Sequence, residues 1–140
     1  METKFNSQIC TTREQSEMLL SLGLRKETAD MCLQSTLNDV WSPYISIATP
    51  YSRVEAYDLS TDVFRVIPAW SLDRLRELIP ENIFTGVRNQ WHRVMYNGVL
   101  TYEEGDDSLV SFREANIYDR CISCIEWLIN EGYFNKEYLV

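Results

Sequence analysis

A pair of closely spaced cysteines is the strongest indication of chemistry in this sequence. Cys121 and Cys124 form a C-x-x-C motif, a spacing found in redox-active dithiols and in metal sites. The spacing alone leaves redox chemistry, metal binding and core packing open. We favour packing, because Cys121 falls on the apolar side of a predicted helix and free cysteine is commonly buried. The pair also lies in the middle of that helix, away from the N-terminus where the helix dipole lowers a thiol pKa.

A zinc site or a general base would need residues that this sequence supplies sparingly. Cys10, Cys32 and His92 could complete a zinc site around the C-x-x-C pair only by converging from distant positions, and nothing in their spacing indicates that they do. His92 is the only histidine, and therefore the one candidate for the commonest general base. We interpret it as a surface or interstrand residue. The prediction is therefore no catalytic residue, no metal ligand and no cofactor.

An acidic segment and several missing motifs narrow the function further. The segment Glu103–Asp107 holds carboxylates on both sides of a glycine, but it lacks the alternating ligands and the terminal glutamate of a calcium loop. We therefore predict a solvated turn. The sequence contains no P-loop, no dinucleotide-binding glycine pattern and no G-x-S-x-G motif, so phosphate binding and hydrolysis have no positive support.

The composition predicts one acidic cytoplasmic domain. The 140 residues are 45% hydrophobic, which suffices for a single globular domain spanning residues 1–140. A net charge of -8 repels a phosphate backbone, so we predict no direct binding of nucleic acid. No stretch has the pattern of a secretory signal or a membrane span. The four cysteines lie in or beside apolar segments, which indicates reduced thiols and a cytoplasmic location.

Capping residues place the first two helices. Thr12 and Gln15 form a capping box, in which each side chain bonds the backbone amide of the other residue. Gly23 is suited to the positive φ that follows a last helical turn. Ser71 is predicted to cap a second helix, Leu72–Ile79, which ends before a proline.

The third helix is predicted to be the main core helix. Ser111 and Glu114 form a second capping-box pattern, and Gly132 is the predicted C-cap. Apolar side chains recur at helical spacing between these limits, and they are Phe112, Ala115, Tyr118, Cys121, Ile122, Ile125, Leu128 and Ile129. The remaining segment, Tyr133–Val140, is predicted to be a tail that docks through its aromatic rings.

The strands are predicted from β-branched and aromatic residues between turn signals. Tyr44–Ile47 and Val63–Ile67 are two short strands on this basis, and Glu81–Asn89 is a loop. The dipeptide at residues 97–98, Asn-Gly, predicts a two-residue hairpin turn that places Met95 opposite Leu100. These elements together predict an α+β fold, with three main helices packed on a small, largely antiparallel sheet that contains the Asn-Gly hairpin.

Three segments resemble small proteins encoded in prophages and mobile elements of gut anaerobic bacteria, a group to which no function is assigned. The segments are Glu14–Leu24 together with Thr28–Met31, then Ile67–Leu72, and finally Ile125–Tyr133. None is a catalytic motif, so the resemblance implies a genomic setting and no site residue. The leading hypothesis is a non-enzymatic accessory protein of a mobile element that binds another protein or a second copy of itself.

Aromatic residues provide the candidate binding surface. Trp41, Tyr44, Tyr51 and Tyr57 fall in a segment of weak periodicity, and such side chains often anchor protein interfaces. Filling of the core is the alternative role for them. Two other functions stay open: an acidic mimic of nucleic acid that inhibits a host nuclease or regulator, and an enzyme that uses His92 with a cysteine or carboxylate brought near by folding.

Overall fold

A computed structural model describes residues 8–35, 41–45, 65–84, 91–97, 99–104 and 107–140. Only the backbone is described at positions 35, 41–45, 65, 91–97, 99, 104 and 107–108. Within these ranges there are three α-helices, α1 (Arg13–Ser21), α2 (Leu72–Leu78) and α3 (Ile117–Glu131). There are also two short 3₁₀ helices, Lys26–Thr28 between α1 and the first strand and Lys136–Tyr138 after α3.

Helix α1 begins at the predicted capping box. The Thr12 hydroxyl accepts a hydrogen bond from the Gln15 backbone N–H at 3.2 Å, and the Thr12 N–H donates to Gln15 Oε1 at 3.0 Å. Gly23 follows the helix with a φ of 100°, as expected for a residue just past a C-terminus. Helix α2 is capped as predicted, since Ser71 Oγ accepts from the Arg74 N–H at 3.2 Å.

Helix α3 starts later than predicted. Its N-cap is Asn116, whose Oδ1 accepts from the backbone N–H groups of Tyr118 and Asp119. The predicted cap at Ser111 and Glu114 is wrong, because Ser111 belongs to a strand that ends one residue later. The predicted C-terminus is confirmed, since Gly132 has a φ of 81°.

The described strands form two antiparallel sheets where one was predicted. The first has the order β2-β1-β3, with β1 (Met31–Ser35) between β2 (Trp41–Ile45) and β3 (Arg65–Ala69). The second has the order β4-β5-β6-β7, and its strands are Asn82–Phe84, Trp91–Asn97, Val99–Glu104 and Asp107–Phe112. The α+β class is confirmed.

Prolines occupy the two outer strands of the first sheet. Pro43 lies in β2 and Pro68 in β3, and both residues face the central strand β1 in the register. A proline has no N–H to donate, so it is tolerated in an edge strand and excluded from a central one. The order of this sheet is therefore consistent with the positions of its prolines.

The hairpin register differs from the prediction by one residue. Strands β5 and β6 are adjacent and antiparallel, but Met95 lies opposite Thr101 and Tyr96 lies opposite Leu100. The reason is that Asn97 pairs with Val99, whereas a two-residue turn would include Asn97. Gly98 lies outside the described residues, so the turn type stays a prediction.

Helix α3 is the centre of the main core. It packs against α1, α2 and strands β6 and β7. The fully buried side chains of this core come from the three helices, from β6 and from connecting segments, and they include Leu19, Leu24, Trp70, Leu75, Tyr102, Cys124, Ile125 and Leu128. A second, smaller apolar cluster lies on the first sheet and contains Cys10, Met31, Leu33 and Ala69.

A buried polar network joins the two clusters at Trp70. Thr11 and Trp70 exchange two hydrogen bonds, from the Thr11 N–H to the Trp70 carbonyl at 2.9 Å and from the Trp70 N–H to Thr11 Oγ1 at 3.0 Å. The Thr11 and Ser16 hydroxyls share a third bond of 2.7 Å. Since Thr11, Ser16 and Trp70 are fully buried, these bonds satisfy polar groups that water cannot reach.

Three further bonds extend this network towards the first 3₁₀ helix. The indole Nε1 of Trp70 donates to Thr28 Oγ1 at 2.9 Å. Asp30 accepts from Ser71, at 2.9 Å from its backbone N–H and at 2.5 Å from its hydroxyl. The segment between α1 and β1 is therefore tied to the start of α2. This segment contains the short 3₁₀ helix Lys26–Thr28, with extended residues at both of its ends.

The Thr11 hydroxyl is open to a direct test. We expect Thr11→Val to lower the free energy of unfolding by about 2 kcal/mol, because the buried Trp70 N–H and Ser16 hydroxyl would each lose a partner. Thr11→Ser keeps the hydroxyl and should lose less. Urea unfolding followed by tryptophan fluorescence measures both changes. A Thr11→Val protein as stable as the parent, or less damaged than Thr11→Ser, would contradict the role of the hydroxyl.

Gly132 provides a test of the α3 terminus. A Cβ at this position would have no atom within 4 Å, so Gly132→Ala isolates the backbone effect of a positive φ. We expect a loss of about 1 kcal/mol in the free energy of unfolding. The exposed helical residue Asn130 is the control, because Asn130→Ala should be neutral or slightly stabilising. Equal stability of the two variants would show that α3 does not end at a left-handed residue.

Candidate functional site

The four thiols are buried in the fold. Cys10, Cys32, Cys121 and Cys124 are all free cysteines with at most 5% of their surface exposed. Burial raises the pKa of Cys10 to about 11, with a smaller contribution from Asp30, and raises the pKa of Cys32 to the same value. These thiols are therefore protonated at neutral pH. The prediction that the four cysteines are buried is confirmed.

The C-x-x-C pair lies in the interior of α3. Burial raises the pKa of Cys121 to about 11, against the opposing effect of Arg76 and Arg120. The pKa of Cys124 is also raised, by burial first and then by Cys121 and Glu114. A redox dithiol needs an accessible thiolate, and neither sulfur is one. The geometry therefore supports the packing interpretation.

The structure does not bring the candidate metal ligands together in its described part. Within these residues no group of three histidine, cysteine, aspartate or glutamate side chains could hold a metal ion. His92 lies in β5, where its backbone is opposite Ile83 of β4. The side chain of His92 is outside the described set, so an enzyme built around it stays a hypothesis.

Of the four residues in the predicted aromatic surface, the structure describes the backbone of the first two. Trp41 and Tyr44 belong to the edge strand β2, with Trp41 opposite Ser35 and Tyr44 opposite Cys32 in the backbone register. Tyr51 and Tyr57 lie outside the described residues. The proposed role of these four residues in binding stays a prediction.

The turn in the acidic segment is shorter than predicted. Glu103 and Glu104 are in β6 and Asp107 is in β7, with Glu104 opposite Asp107. Positions 105 and 106 lie outside the described residues. The sequence did not indicate these strand residues, because acidic residues have a low strand propensity. Pairing between β6 and β7 extends both strands into the acidic segment.

Each of the two shorter helices carries an arginine–glutamate ion pair. Arg13 pairs with Glu17 on α1 and Arg74 pairs with Glu77 on α2, each at 3.1 Å. An imitation of nucleic acid needs carboxylates arranged in a continuous stripe. These two helices do not carry such a stripe, so they give the nucleic-acid mimic no support.

A groove with a volume of about 440 Å³ lies among the described residues. It is lined by one helix, the first 3₁₀ helix and the C-terminal segment, through Leu20, Leu24, Arg25, Lys26, Glu27 and Val140. We call it the Leu24 groove. Leu24 is 1% exposed and Leu20 is half-buried, so the floor is apolar, whereas three charged residues form the rim.

Backbone pairing builds this groove from two distant segments. Leu24 and Leu139 form an isolated antiparallel bridge. The Arg25 N–H donates to the Tyr138 carbonyl, and the Val140 N–H donates to the Gly23 carbonyl, both at 2.8 Å. The predicted docking of the tail through its aromatics is also confirmed, because Phe134 is buried in the main core and stacks edge-on against Tyr138.

The Arg25 side chain is held at the mouth of the groove. Its Nε donates to the Leu139 carbonyl at 2.8 Å, while the residue as a whole is exposed. The lining contains no thiol, hydroxyl or imidazole group. This arrangement suits the binding of an apolar side chain next to a polar group.

Sequence reasoning missed the groove. One wall follows Gly23 directly, whereas the opposite wall comes from Val140, more than a hundred positions away.

Comparison with family models, with curated proteins and with solved structures finds no match. No helix in the described ranges is both long and apolar enough to cross a membrane.

The burial of the thiols predicts their reactivity. We expect a thiol reagent such as DTNB to leave all four cysteines unmodified in the native protein at about pH 8, and to modify all four in urea. The control is the same protein with a cysteine introduced at exposed Ser21, which should react at once. Rapid labelling of native Cys121 or Cys124 would contradict the packing interpretation.

The same thiols predict how stability depends on pH. The pKa of Cys10, Cys32 and Cys121 is about 11 in the folded protein, against an ordinary value of 9.0. The unfolded chain therefore loses these protons first, and the free energy of unfolding should fall as the pH rises from 9.0 towards 11. Replacing Cys121 with alanine should reduce that slope. An unchanged slope would contradict a raised pKa for this thiol.

Proposed function

We propose that this chain is a non-enzymatic, cytoplasmic accessory protein of a mobile element, and that it binds another protein through the Leu24 groove. The observation that carries the proposal is the groove itself, with an apolar floor and a charged rim. Concave apolar sites with a few fixed polar groups are typical of binding sites. A volume of about 440 Å³ is enough for one or two side chains of a partner.

The walls of the groove are fixed before any partner arrives. Both sides of the Leu24–Leu139 bridge are hydrogen-bonded, and Leu24 is part of the main core. A preformed site loses little conformational entropy when it binds, so more of the contact energy contributes to affinity. An apolar side chain inserted against Leu20 and Leu24 would act as the anchor residue of such an interface.

The non-enzymatic part of the proposal rests on how the described reactive groups are used. The four thiols are buried and protonated at neutral pH. A serine and an aspartate side by side are residue types that some catalytic sites use. Here the Ser71 hydroxyl donates to Asp30 and accepts from the Arg74 N–H, which caps α2. The Thr11 and Ser16 hydroxyls are consumed inside the fold. In the described part of the chain, polar chemistry therefore serves folding.

The genomic setting rests on the resemblance to mobile-element proteins. The groove residues Leu20 and Leu24 both lie in the segment Glu14–Leu24 that carries part of this resemblance. A binding role is also the simplest one for a small accessory protein without a catalytic motif.

Affinity capture in the encoding organism tests the proposal. The tagged chain should recover a specific partner, and Leu20→Ser should lose it, because the variant removes half of the apolar floor. We expect a loss of at least tenfold in recovered partner, corresponding to about 1.4 kcal/mol. Quantitative mass spectrometry of the captured proteins measures the change.

The matched control is Met18→Ser on the same helix. Met18 is 39% exposed and does not line the groove, so this variant also removes an apolar surface side chain from α1. It should retain the partner. Loss of the partner from both variants, or from neither, would contradict a role for the groove.

A further inference from the structure

We propose that the Leu24 groove selects a protein segment in which an apolar side chain adjoins a carboxylate, with Arg25 as the residue that binds the carboxylate. This inference rests on the proposed function and specifies the partner of the same site. It is drawn from the way Arg25 is held, from the charge of the chain and from the apolar floor beside it.

Arg25 is fixed at its backbone and at the base of its guanidinium group. Its N–H donates to the Tyr138 carbonyl, and its own carbonyl accepts from the Thr28 N–H at 3.0 Å and from Thr28 Oγ1 at 2.7 Å. Its Nε donates to Leu139. A guanidinium held in this way loses little entropy on binding, because its orientation is already set.

The other end of the same guanidinium group, with its two Nη atoms, takes no part in these bonds. The Nη atoms of Arg25 make no hydrogen bond with any residue in the described ranges. Two parallel N–H groups on a planar fork match the two oxygens of a carboxylate. The structure therefore presents a preformed carboxylate donor beside an apolar floor.

The charge of the chain makes this position distinctive. A protein with a net charge of -8 repels acidic segments over most of its surface, so recognition of a carboxylate requires a local cation. Arg25 lines the groove and supplies such a cation beside the apolar floor. This favours a partner segment that carries a carboxylate next to its apolar side chain.

A titration with two small probes tests the inference. The probes are N-acetyl-L-leucine, which combines an apolar side chain with a carboxylate, and N-acetyl-L-leucinamide, which lacks the charge. We expect the acid to shift the backbone amide signals of Leu20, Leu24 and Arg25 in the full ¹⁵N-labelled chain, with a dissociation constant on the order of millimolar. The amide probe should bind about tenfold more weakly.

Two arginine variants separate recognition from general charge. Arg25→Gln should remove the preference for the acid while the amide probe still binds the floor. Arg113→Gln changes the charge equally at an exposed arginine outside the groove, and it should leave the preference intact. Signals remote from the groove report that each variant is folded.

The results distinguish failure of the carboxylate preference from failure of the proposed function. Equal binding of the two probes, an unchanged preference in Arg25→Gln, or no shift with either probe would overturn the inference. If the groove variants still lose a captured partner in those cases, the proposed function stands and only the carboxylate preference fails. Selective probe binding together with no recovered partner would instead overturn the proposed function.

Discussion

The hydrogen bonds between Trp70 and Thr11 are the constraint on which the rest of the described structure depends. Trp70 follows β3 and precedes α2, and it is fully buried between the main core and the cluster on the first sheet. Its backbone N–H and carbonyl are at a point where the strand ends and the helix has not begun. Without Thr11, both groups would be buried with no partner, at a cost of about 1–3 kcal/mol each.

The same residue links the interior to the surface groove. Trp70 Nε1 donates to Thr28 Oγ1, and that hydroxyl donates to the carbonyl of Arg25. Arg25 then reaches Leu139 on the opposite wall. A continuous series of hydrogen bonds therefore runs from the centre of the fold to the rim of the Leu24 groove. This explains how a short 3₁₀ segment, which has little stability of its own, holds a side chain in a fixed direction.

Local signals predicted the elements whose ends are set by one or two residues. The Thr12–Gln15 capping box, the Ser71 cap, and Gly23 and Gly132 each satisfy or permit a backbone conformation by themselves. The start of α3 was missed because Ser111 and Glu114 have the spacing of a capping box, yet pairing of Ser111 with Thr101 keeps that segment extended. Local pattern and sheet pairing compete there, and sheet pairing prevails.

Elements that form only by pairing with distant segments could not be predicted from the sequence. Strand β1 has no β-branched residue, and it forms because strands on both sides pair with it. Strand β4 pairs with β5 in a segment that has the composition of a loop. The candidate site was hidden for the same reason, since Leu24 and Leu139 meet only in the folded chain. About function, the sequence predicted only that the thiols are buried and that it contains no motif for catalysis.

Native-state hydrogen exchange of Trp70 is the most direct measurement of the central constraint. If its bonds to Thr11 and Thr28 hold the two clusters together, the backbone N–H and the indole N–H of Trp70 should exchange only when the whole protein unfolds. Their opening free energy should then equal that of the buried Ile125 amide in α3. Exchange of Trp70 through a local opening several kcal/mol below the Ile125 value would contradict the central role of this residue.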